Sequence, residues 1–218
     1  MHTEWKDYWS SYKYRQELYL SLVCWLVIVA IHPIVLEFVE FRNIRLPLND
    51  WLLNILPCTN FSTPIFMLLY SVCIYGIASC IQRPALLLFA LQSYMLVQFV
   101  RLCTLLLLPL DSPANLEPLR DPLLEFTFYK GNCYTRDLFF SGHVATMATF
   151  YFLEYKPLAK KILLAAAIAM SVMILIQHIH YSIDVVGGWL AAYYCNRLML
   201  NKNFIKLKVL KLTKIWKP

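Results

Sequence analysis

Long apolar runs alternate with short polar connections along most of the chain, and this pattern predicts membrane-spanning helices. A helix needs about 20 apolar residues to cross a bilayer. The runs predict six spans, of which the last three are short or interrupted, at residues 18–39, 61–81, 86–108, 138–153, 162–177 and 183–200. The first run lacks a small-residue cleavage site and is too long for a signal-peptide core, so we interpret it as a span. The expected fold is an all-α bundle of six transmembrane helices.

Composition agrees with a membrane protein. Hydrophobic residues make up 60% of the 218 positions, and the mean hydropathy is +0.55, which is more apolar than an ordinary soluble domain. The net charge of +7 comes mainly from lysines near the C-terminus. Because no basic soluble domain with aromatic stacking platforms accompanies them, nucleic acid is not an expected partner.

Two flanking segments, 1–17 and 201–218, enclose the predicted membrane domain of residues 18–200. Residues 1–17 repeat aromatic side chains at helical spacing, which predicts a helix lying in the headgroup layer, with packing on the bundle as the alternative. These aromatic side chains are Trp5, Tyr8, Trp9 and Tyr12. Residues 201–218 carry six lysines among apolar residues, a pattern that attracts anionic lipid at the cytoplasmic leaflet.

The distribution of basic residues predicts the orientation of the spans. With both termini in the cytoplasm, fourteen of the twenty Lys and Arg residues fall on the cytoplasmic side, as the positive-inside rule requires. This topology places His143, His180 and Asp184 on the opposite face. The chemistry is therefore expected to face the periplasm, the Golgi lumen or the cell exterior.

Candidate chemistry is concentrated in Ser141-Gly142-His143 and in the segment from His180 to Asp184. Titratable residues at membrane depth are costly and usually functional. A spacing of four residues puts His180 and Asp184 on one face of a helix. The carboxylate can then fix the imidazole tautomer and leave the other ring nitrogen free to attack phosphorus, while His143 protonates the leaving oxygen. The pattern predicts phosphoryl transfer through a histidine nucleophile.

Other interpretations of the histidines stay open. They can simply hydrogen-bond between helices, or two histidines and one aspartate can hold zinc with an open position, although no known zinc-enzyme spacing is present. We expect His178 and His32 to be structural.

Cys58 and Cys133 fall on the same predicted side and can form a disulfide if that compartment is oxidising.

Residues 46–200 resemble the type-2 phosphatidic acid phosphatase superfamily, and within it the sphingomyelin synthase family. Thr135 to His143 corresponds to the family's Cys-Gly-Asp-x-x-x-Ser-Gly-His motif, and His180 to Asp184 corresponds to His-Tyr-Thr-x-Asp. Arg101 followed by an apolar run to Leu108-Pro109 is similar to a third family segment, and Pro47-Leu48-Asn49-Asp50 to a Pro-Leu-Pro-Asp segment. Thr135, Arg136 and Asn49 depart from the family's cysteine, glycine and proline.

The resemblance implies a catalytic set and a reaction. His180 is the expected nucleophile, Asp184 its orienting carboxylate and His143 the general acid and base. The residues expected to contact substrate are Arg101, Ser141, Gly142, Asp137, Arg136 and Tyr181. The expected partners are a phospholipid donor and a lipid acceptor, ceramide or diacylglycerol, with no cofactor or metal; assembly into a homo-oligomer is left open.

The donor class follows from a comparison with lipid phosphatases of this superfamily. These enzymes carry a Lys-x6-Arg-Pro motif and an arginine six residues before the second histidine. Here Arg83-Pro84 is present, but Gly76 and Ile174 stand at the other two positions. A phosphodiester needs less positive charge than a phosphomonoester, so a headgroup-bearing phospholipid is the predicted donor. The alternatives are hydrolysis by water, as in a lipid phosphatase or phospholipase C, a non-enzymatic transporter or scramblase, and an inactive relative.

Overall fold

The computed structural model describes residues 2–120 and 134–201, with side chains for residues 5–120 and 134–200. Apart from one isolated bridge between Leu46 and Leu110, the regular structure in these ranges is helical. The helices are α1 (His2–Ser10), α2 (Tyr12–Phe41), α3 (Trp51–Ile55), α4 (Ser62–Ile81), α5 (Pro84–Leu107), α6 (Gly142–Leu153), α7 (Pro157–Ile176) and α8 (Ser182–Asn201).

Within the described ranges, four helices have the length and apolar character to cross a membrane: α2, α4, α5 and α7. They coincide with the first, second, third and fifth predicted spans and support an integral membrane protein. Helix α6 has 12 residues and is therefore about 18 Å long, short of the roughly 30 Å hydrocarbon layer. The six-span topology therefore stays a prediction where α6 and α8 are concerned.

The fourth predicted span begins too early. Residues 138–140 are not helical, and α6 starts at Gly142 because Ser141 is its N-cap, with the Ser141 Oγ accepting from the Val144 amide at 3.4 Å. The sequence stretch is apolar on both sides of this serine, so hydropathy alone places the boundary inside the preceding loop. The corrected boundary sets the Ser-Gly-His motif on the first turn of the helix.

The N-terminal segment is divided between two helices. Ser11 caps α2 and separates it from α1, so residues 1–17 do not form one helix. Helix α1 packs on α2 and α5, and the Trp5 Nε1 donates to the Ile81 carbonyl at 2.9 Å. Trp9 and Tyr12 are 45% and 67% exposed, and for these two side chains headgroup contact stays a prediction. The lysines of residues 202–218 lie outside the described residues.

Helix α6 lies at the centre of the bundle, against α4, α5, α7 and α8. Its residues 144–149 are all buried. Two glycines of α8 let the two backbones approach closely: a Cβ on Gly188 would lie 2.9 Å from the Ser141 carbonyl oxygen, and one on Gly187 would lie 3.0 Å from the Phe140 Cβ. Small residues are what allow such contacts between membrane helices. This packing fixes the start of α6 against the start of α8.

The helices bring the predicted site residues to one end of the bundle, here called the site end. The C-terminal parts of α2 and α5 meet there through Val35, Leu36, Leu102 and Leu105, together with the first turns of α6 and α8. Arg83, at the start of α5, belongs to the opposite end. It stands 18 residues before Arg101 in the chain, which corresponds to about 27 Å along a helix.

Candidate active site

His180 and Asp184 are in contact at the start of α8. The His180 Nδ1 lies 3.2 Å from the Asp184 Oδ2, and the same oxygen accepts the Tyr181 amide at 3.1 Å. Asp184 has no exposed surface and occupies the first helical turn, where the helix dipole favours a negative charge. With Nδ1–H donating to the carboxylate, Nε2 of His180 carries the free lone pair.

The contact arises from a turn and not from a helix face. His180 precedes the first residue of α8 by two positions, so the expectation that a helix brings the pair together was wrong. The Asp184 carboxylate instead folds back over the helix start to reach the Tyr181 amide. This local geometry still delivers the predicted pairing because a carboxylate in the first turn of a helix can reach back to the residues that precede the helix.

Asp50, the N-cap of α3, stabilises the turn between His180 and the start of α8. Its Oδ1 accepts from the Leu52 amide at 3.0 Å and its Oδ2 from the Ser182 amide at 2.6 Å, so one carboxylate anchors the starts of both α3 and α8. Burial raises the pKa of Asp50. The hydrogen bonds from Ser182, Leu52 and Leu53 together lower it by more than burial raises it, so the net pKa lies below the ordinary value. Asp50 therefore stays a carboxylate at neutral pH.

Tyr181 forms part of the wall of the site. Its hydroxyl donates to the Asp111 carbonyl at 3.0 Å, and its buried ring packs with Leu53, Leu110 and Leu138. Burial raises the pKa of Tyr181, so the phenol stays a donor. The side chain predicted to contact substrate is thus bound to the backbone of a neighbouring loop.

The Ser-Gly-His turn is tied directly to α8. Ser141 is fully buried, and its amide donates to the Asp184 carbonyl at 3.0 Å. His143 is half-buried, and its ring meets Phe66 edge-on with 5.9 Å between centroids. The hydroxyl of Ser141, predicted to contact substrate, instead caps α6. The main chain of this motif therefore carries the link between the two histidine segments.

Arg101 lies at the centre of the site end and is only 5% exposed. Its Nη1 is 2.8 Å from the His32 Nε2, its Nη2 donates to both carboxylate oxygens of Asp137, and its Nε donates to the Phe140 carbonyl at 3.4 Å. A Cβ on Gly142 would lie 2.7 Å from the guanidinium carbon. The guanidinium therefore packs directly against the backbone of Gly142, and a side chain at this position would displace it.

Asp137 lies within electrostatic range of the whole group. Burial raises its pKa, but the Arg101 guanidinium, and after it His180 and His143, lower it, so that the net pKa is below the ordinary value. The structure thus brings together the predicted residues His143, His180, Asp184, Arg101 and Asp137. It also adds His32, which sequence analysis treated as structural.

The loop that carries Asp137 is fastened to the end of α2. Glu40 accepts the Thr135 amide at 3.0 Å, the Thr135 hydroxyl at 2.9 Å and the Arg136 amide at 3.1 Å. The Arg136 guanidinium donates to the Asp111 carboxylate at 3.2 Å and to the Glu40 carbonyl. Arg136 is thus engaged by protein groups and is not a solvated loop charge. Sequence analysis missed Glu40, although an acidic residue at the end of an apolar run is a signal of its own.

Two further polar residues support the site end from the turn that follows α7. His178 faces the Ala114 carbonyl at 3.4 Å and the Leu56 carbonyl at 3.2 Å, contacts typical of the structural role predicted for it. Gln177 is fully buried; it accepts the Phe61 amide and donates to the Ser62 hydroxyl, both at 2.9 Å. Sequence analysis missed Gln177 because no motif marks it.

Two remaining predictions concern cysteine and metal. Cys58 is exposed, with its Sγ 3.1 Å from the Asn115 carbonyl, while Cys133 lies outside the described residues. In the part of the chain that the structure describes, no group of three or more His, Cys, Asp or Glu side chains is arranged to hold a metal ion.

Comparison with protein families identifies the C-terminal part of the chain. Residues 134–201 match the family model described as PAP2 superfamily C-terminal, and this segment contains His143, His180 and Asp184. A search of curated proteins found no match to the chain. The matched segment supports the type-2 phosphatidic acid phosphatase superfamily, whose members are phosphatases and phosphotransferases, and hence an enzyme of that type acting in a membrane.

Proposed function

We propose that the chain is a lipid phosphotransferase of the sphingomyelin synthase type, which moves a phospho-headgroup from a glycerophospholipid to a lipid hydroxyl such as that of ceramide. The observation that carries the proposal is the buried Asp184 carboxylate at 3.2 Å from the His180 Nδ1. A carboxylate in this position makes Nε2 of the imidazole a nucleophile and stabilises the charge that the ring acquires.

The first step breaks the donor ester. The Nε2 of His180 attacks phosphorus, the bond to the diacylglycerol oxygen breaks, and His143 gives its proton to that oxygen. The product is diacylglycerol and a phosphohistidine that still carries the headgroup. The second step reverses the roles: the acceptor hydroxyl attacks phosphorus, His143 takes its proton, and His180 is released. His143 can serve both steps because it starts the second one deprotonated.

The pairing of the nearby cations supports a phosphodiester donor. Arg101 is paired with Asp137 and Arg136 with Asp111, so neither guanidinium is an unshared positive charge at the site. A doubly charged phosphomonoester would have to displace one of these carboxylates. A singly charged phosphodiester needs less compensation, which favours phosphatidylcholine or phosphatidylethanolamine over phosphatidic acid.

The positions used by lipid phosphatases for their cationic clamp support the same donor class. A Cβ on Gly76 would lie 2.2 Å from the Phe150 ring, so a lysine does not fit there in this packing. Ile174 is fully buried in the main hydrophobic cluster. Arg83 stacks on Tyr155, with 3.9 Å from the guanidinium carbon to the ring centroid, at the end of the bundle remote from the histidines.

The superfamily match favours one second candidate, hydrolysis. Family members include phosphatases, and water can replace the lipid hydroxyl in the second step without any change in the first. The chain would then act as a lipid phosphatase or a phospholipase C. The identity of the acceptor, and not the histidine chemistry, separates the two candidates.

For the membrane arrangement we infer six spans, with both termini in the cytoplasm and the histidines at the opposite face. Arg83, Lys156 and Lys160 lie at the end of the bundle remote from His180, in agreement with a cytoplasmic location for that end. In this arrangement the donor and acceptor reach the site end from the non-cytoplasmic leaflet.

The test is turnover by the purified full chain in micelles containing labelled phosphatidylcholine, phosphatidylethanolamine or phosphatidic acid, each with and without ceramide. We expect a sphingophospholipid product from a diester donor and no product with His180→Ala. Phosphatidic acid should react roughly ten- to hundred-fold more slowly than the best diester. His178→Gln is the matched histidine control and should stay within a few-fold of wild type. Faster turnover of phosphatidic acid than of every diester, with free phosphate as product, would make the chain a lipid phosphatase.

A further inference from the structure

Arg101 is held by protein groups on three sides, and one of them comes from a helix outside the matched segment. The His32 Nε2, on α2, lies 2.8 Å from the Arg101 Nη1. The other two partners, Asp137 and the Phe140 carbonyl, belong to the loop before α6. His32 is thus the contact that links α2 to the arginine at the centre of the site end.

The chemistry of the contact defines the state of His32. A guanidinium has only donors and does not lose its proton in proteins, so Nε2 of His32 must accept. The ring is therefore neutral, with its proton on Nδ1. A histidine in this state neither adds positive charge to the site nor competes with Asp137 for the arginine.

The guanidinium in turn supports the turn that carries His143. It bonds to the Phe140 carbonyl, pairs with Asp137, and lies so close to Gly142 that a Cβ there would stand 2.7 Å from the guanidinium carbon. A rotation of the arginine side chain would move into this glycine or break both loop contacts. The arginine's orientation and the position of the next residue, His143, are therefore coupled.

We propose that His32 is a positioning residue for the transfer reaction: by accepting from Arg101 it locks the guanidinium and, through the Phe140–Gly142 turn, sets His143 at the distance that proton transfer needs. This rests on the proposed function for the role of His143. Without the acceptor, a buried N–H of Arg101 loses its partner and the guanidinium turns to find another. Displacement of a catalytic group by about 1 Å lowers rates by up to about a hundred-fold.

Two substitutions with side chains of similar length distinguish the loss of the hydrogen-bond acceptor from the loss of side-chain volume. His32→Gln keeps an acceptor oxygen near the position of Nε2, whereas His32→Met fills similar space without a strong acceptor. Both are assayed as purified full chains with the lipid phosphate ester that the wild type consumes fastest. We expect His32→Gln to stay within a few-fold of wild type and His32→Met to lose roughly ten- to hundred-fold in kcat with KM little changed. Equal rates in the two variants, or a loss expressed in KM alone, would overturn the proposal.

A second measurement tests the contact without any turnover. In the full chain labelled with ¹⁵N-histidine in micelles, one neutral ring protonated at Nδ1 should vanish in His32→Gln. The same ring should change its tautomer balance in Arg101→Met, which removes the donor. A His32 signal from an imidazolium or from a ring protonated at Nε2 would overturn the proposed contact. If the wild type consumes no lipid phosphate ester, the proposed function fails. The spectrum still shows whether His32 accepts a hydrogen bond from Arg101.

Discussion

At the scale of single residues, each carboxylate of the site binds a different kind of group. Asp184 receives the His180 ring and the Tyr181 amide on one oxygen, Asp137 receives Arg101, and Glu40 receives the loop amides. The three acidic groups thus have different tasks: orienting the nucleophile, neutralising a buried cation and fastening a loop. Only the first task acts on a group that reacts, the His180 imidazole.

Replacing that charge gives the first prediction. Asp184→Asn should lower kcat by on the order of a thousand-fold or more, because an amide neither fixes the productive tautomer nor stabilises the imidazolium. Steady-state turnover of the best donor measures the loss, and the unfolding temperature checks that the variant is folded. A kcat within a few-fold of wild type would remove Asp184 from the mechanism.

At this scale the sequence patterns identified the residues with chemistry and the His180–Asp184 pair, and they missed the carboxylate partners of the two arginines and of the loop. His143, His180 and Asp184 stand out because titratable groups are rare at membrane depth. Glu40 and Asp111 bind a loop 25 to 96 residues away in the chain, and such long-range pairings leave no local pattern. Arg101 and Arg136 were predicted as substrate contacts, and their carboxylate partners Asp137 and Asp111 were not predicted for the same reason.

At the scale of elements, short connecting segments position the site. Helix α3 has five residues and no catalytic side chain, yet its N-cap Asp50 also accepts the Ser182 amide at the start of α8. Apolar runs predicted the long helices well because burial in lipid needs little more than length and composition. They did not predict the start of α6, where the Ser141 cap decides, although the sixth predicted span begins within one residue of the start of α8.

The Asp50 link gives a prediction about stability and pH. Since the folded-state pKa of Asp50 is lowered, its stabilising effect is complete above the ordinary carboxyl pKa of about 3.9 and is lost as pH falls through the lower folded value. Asp50→Asn should therefore cost about 1–3 kcal/mol at neutral pH, and the difference from wild type should shrink below about pH 4.

Unfolding of both proteins in the same detergent, followed between neutral and acid pH, measures this effect. Asn49→Ala is the matched control. In the part of the chain that the structure describes, the Asn49 side chain has only an exposed hydrogen bond with Asn54, and its loss should change little. A difference between Asp50→Asn and wild type that is constant over the whole pH range would contradict the assigned ionised state.

At the scale of the whole molecule, the two ends of the bundle carry different chemistry. The histidines, Arg101 and exposed Cys58 lie at the site end, and exposed Lys161 lies at the other end, near the start of α7. The sequence predicted this asymmetry from the positions of its basic residues. The sequence could not predict how deep each helix lies in the bilayer, because α6 is too short to cross the bilayer by itself and is surrounded by other helices.

Membrane sidedness gives the third prediction. Two proteins are compared, Cys133→Ser and the same variant with Lys161→Cys in addition. A membrane-impermeant maleimide added from the non-cytoplasmic side of sealed vesicles should label Cys58 in both proteins and should not label the cysteine introduced by Lys161→Cys. Reversing the side of addition should reverse the pattern. Labelling of Cys58 only from the cytoplasmic side would invert the inferred topology and place the chemistry on the cytoplasmic leaflet.

The central claim is a covalent intermediate on His180, and its capture is the most direct test. The full chain is mixed briefly with donor labelled in its headgroup phosphate, quenched in alkali, digested and sequenced by mass spectrometry. The account predicts the headgroup phosphate on His180, lost on acid treatment, absent in His180→Ala, accumulating in the absence of acceptor and discharged by ceramide. Label on another residue, or continued turnover with no acid-labile adduct at any time point, would contradict it.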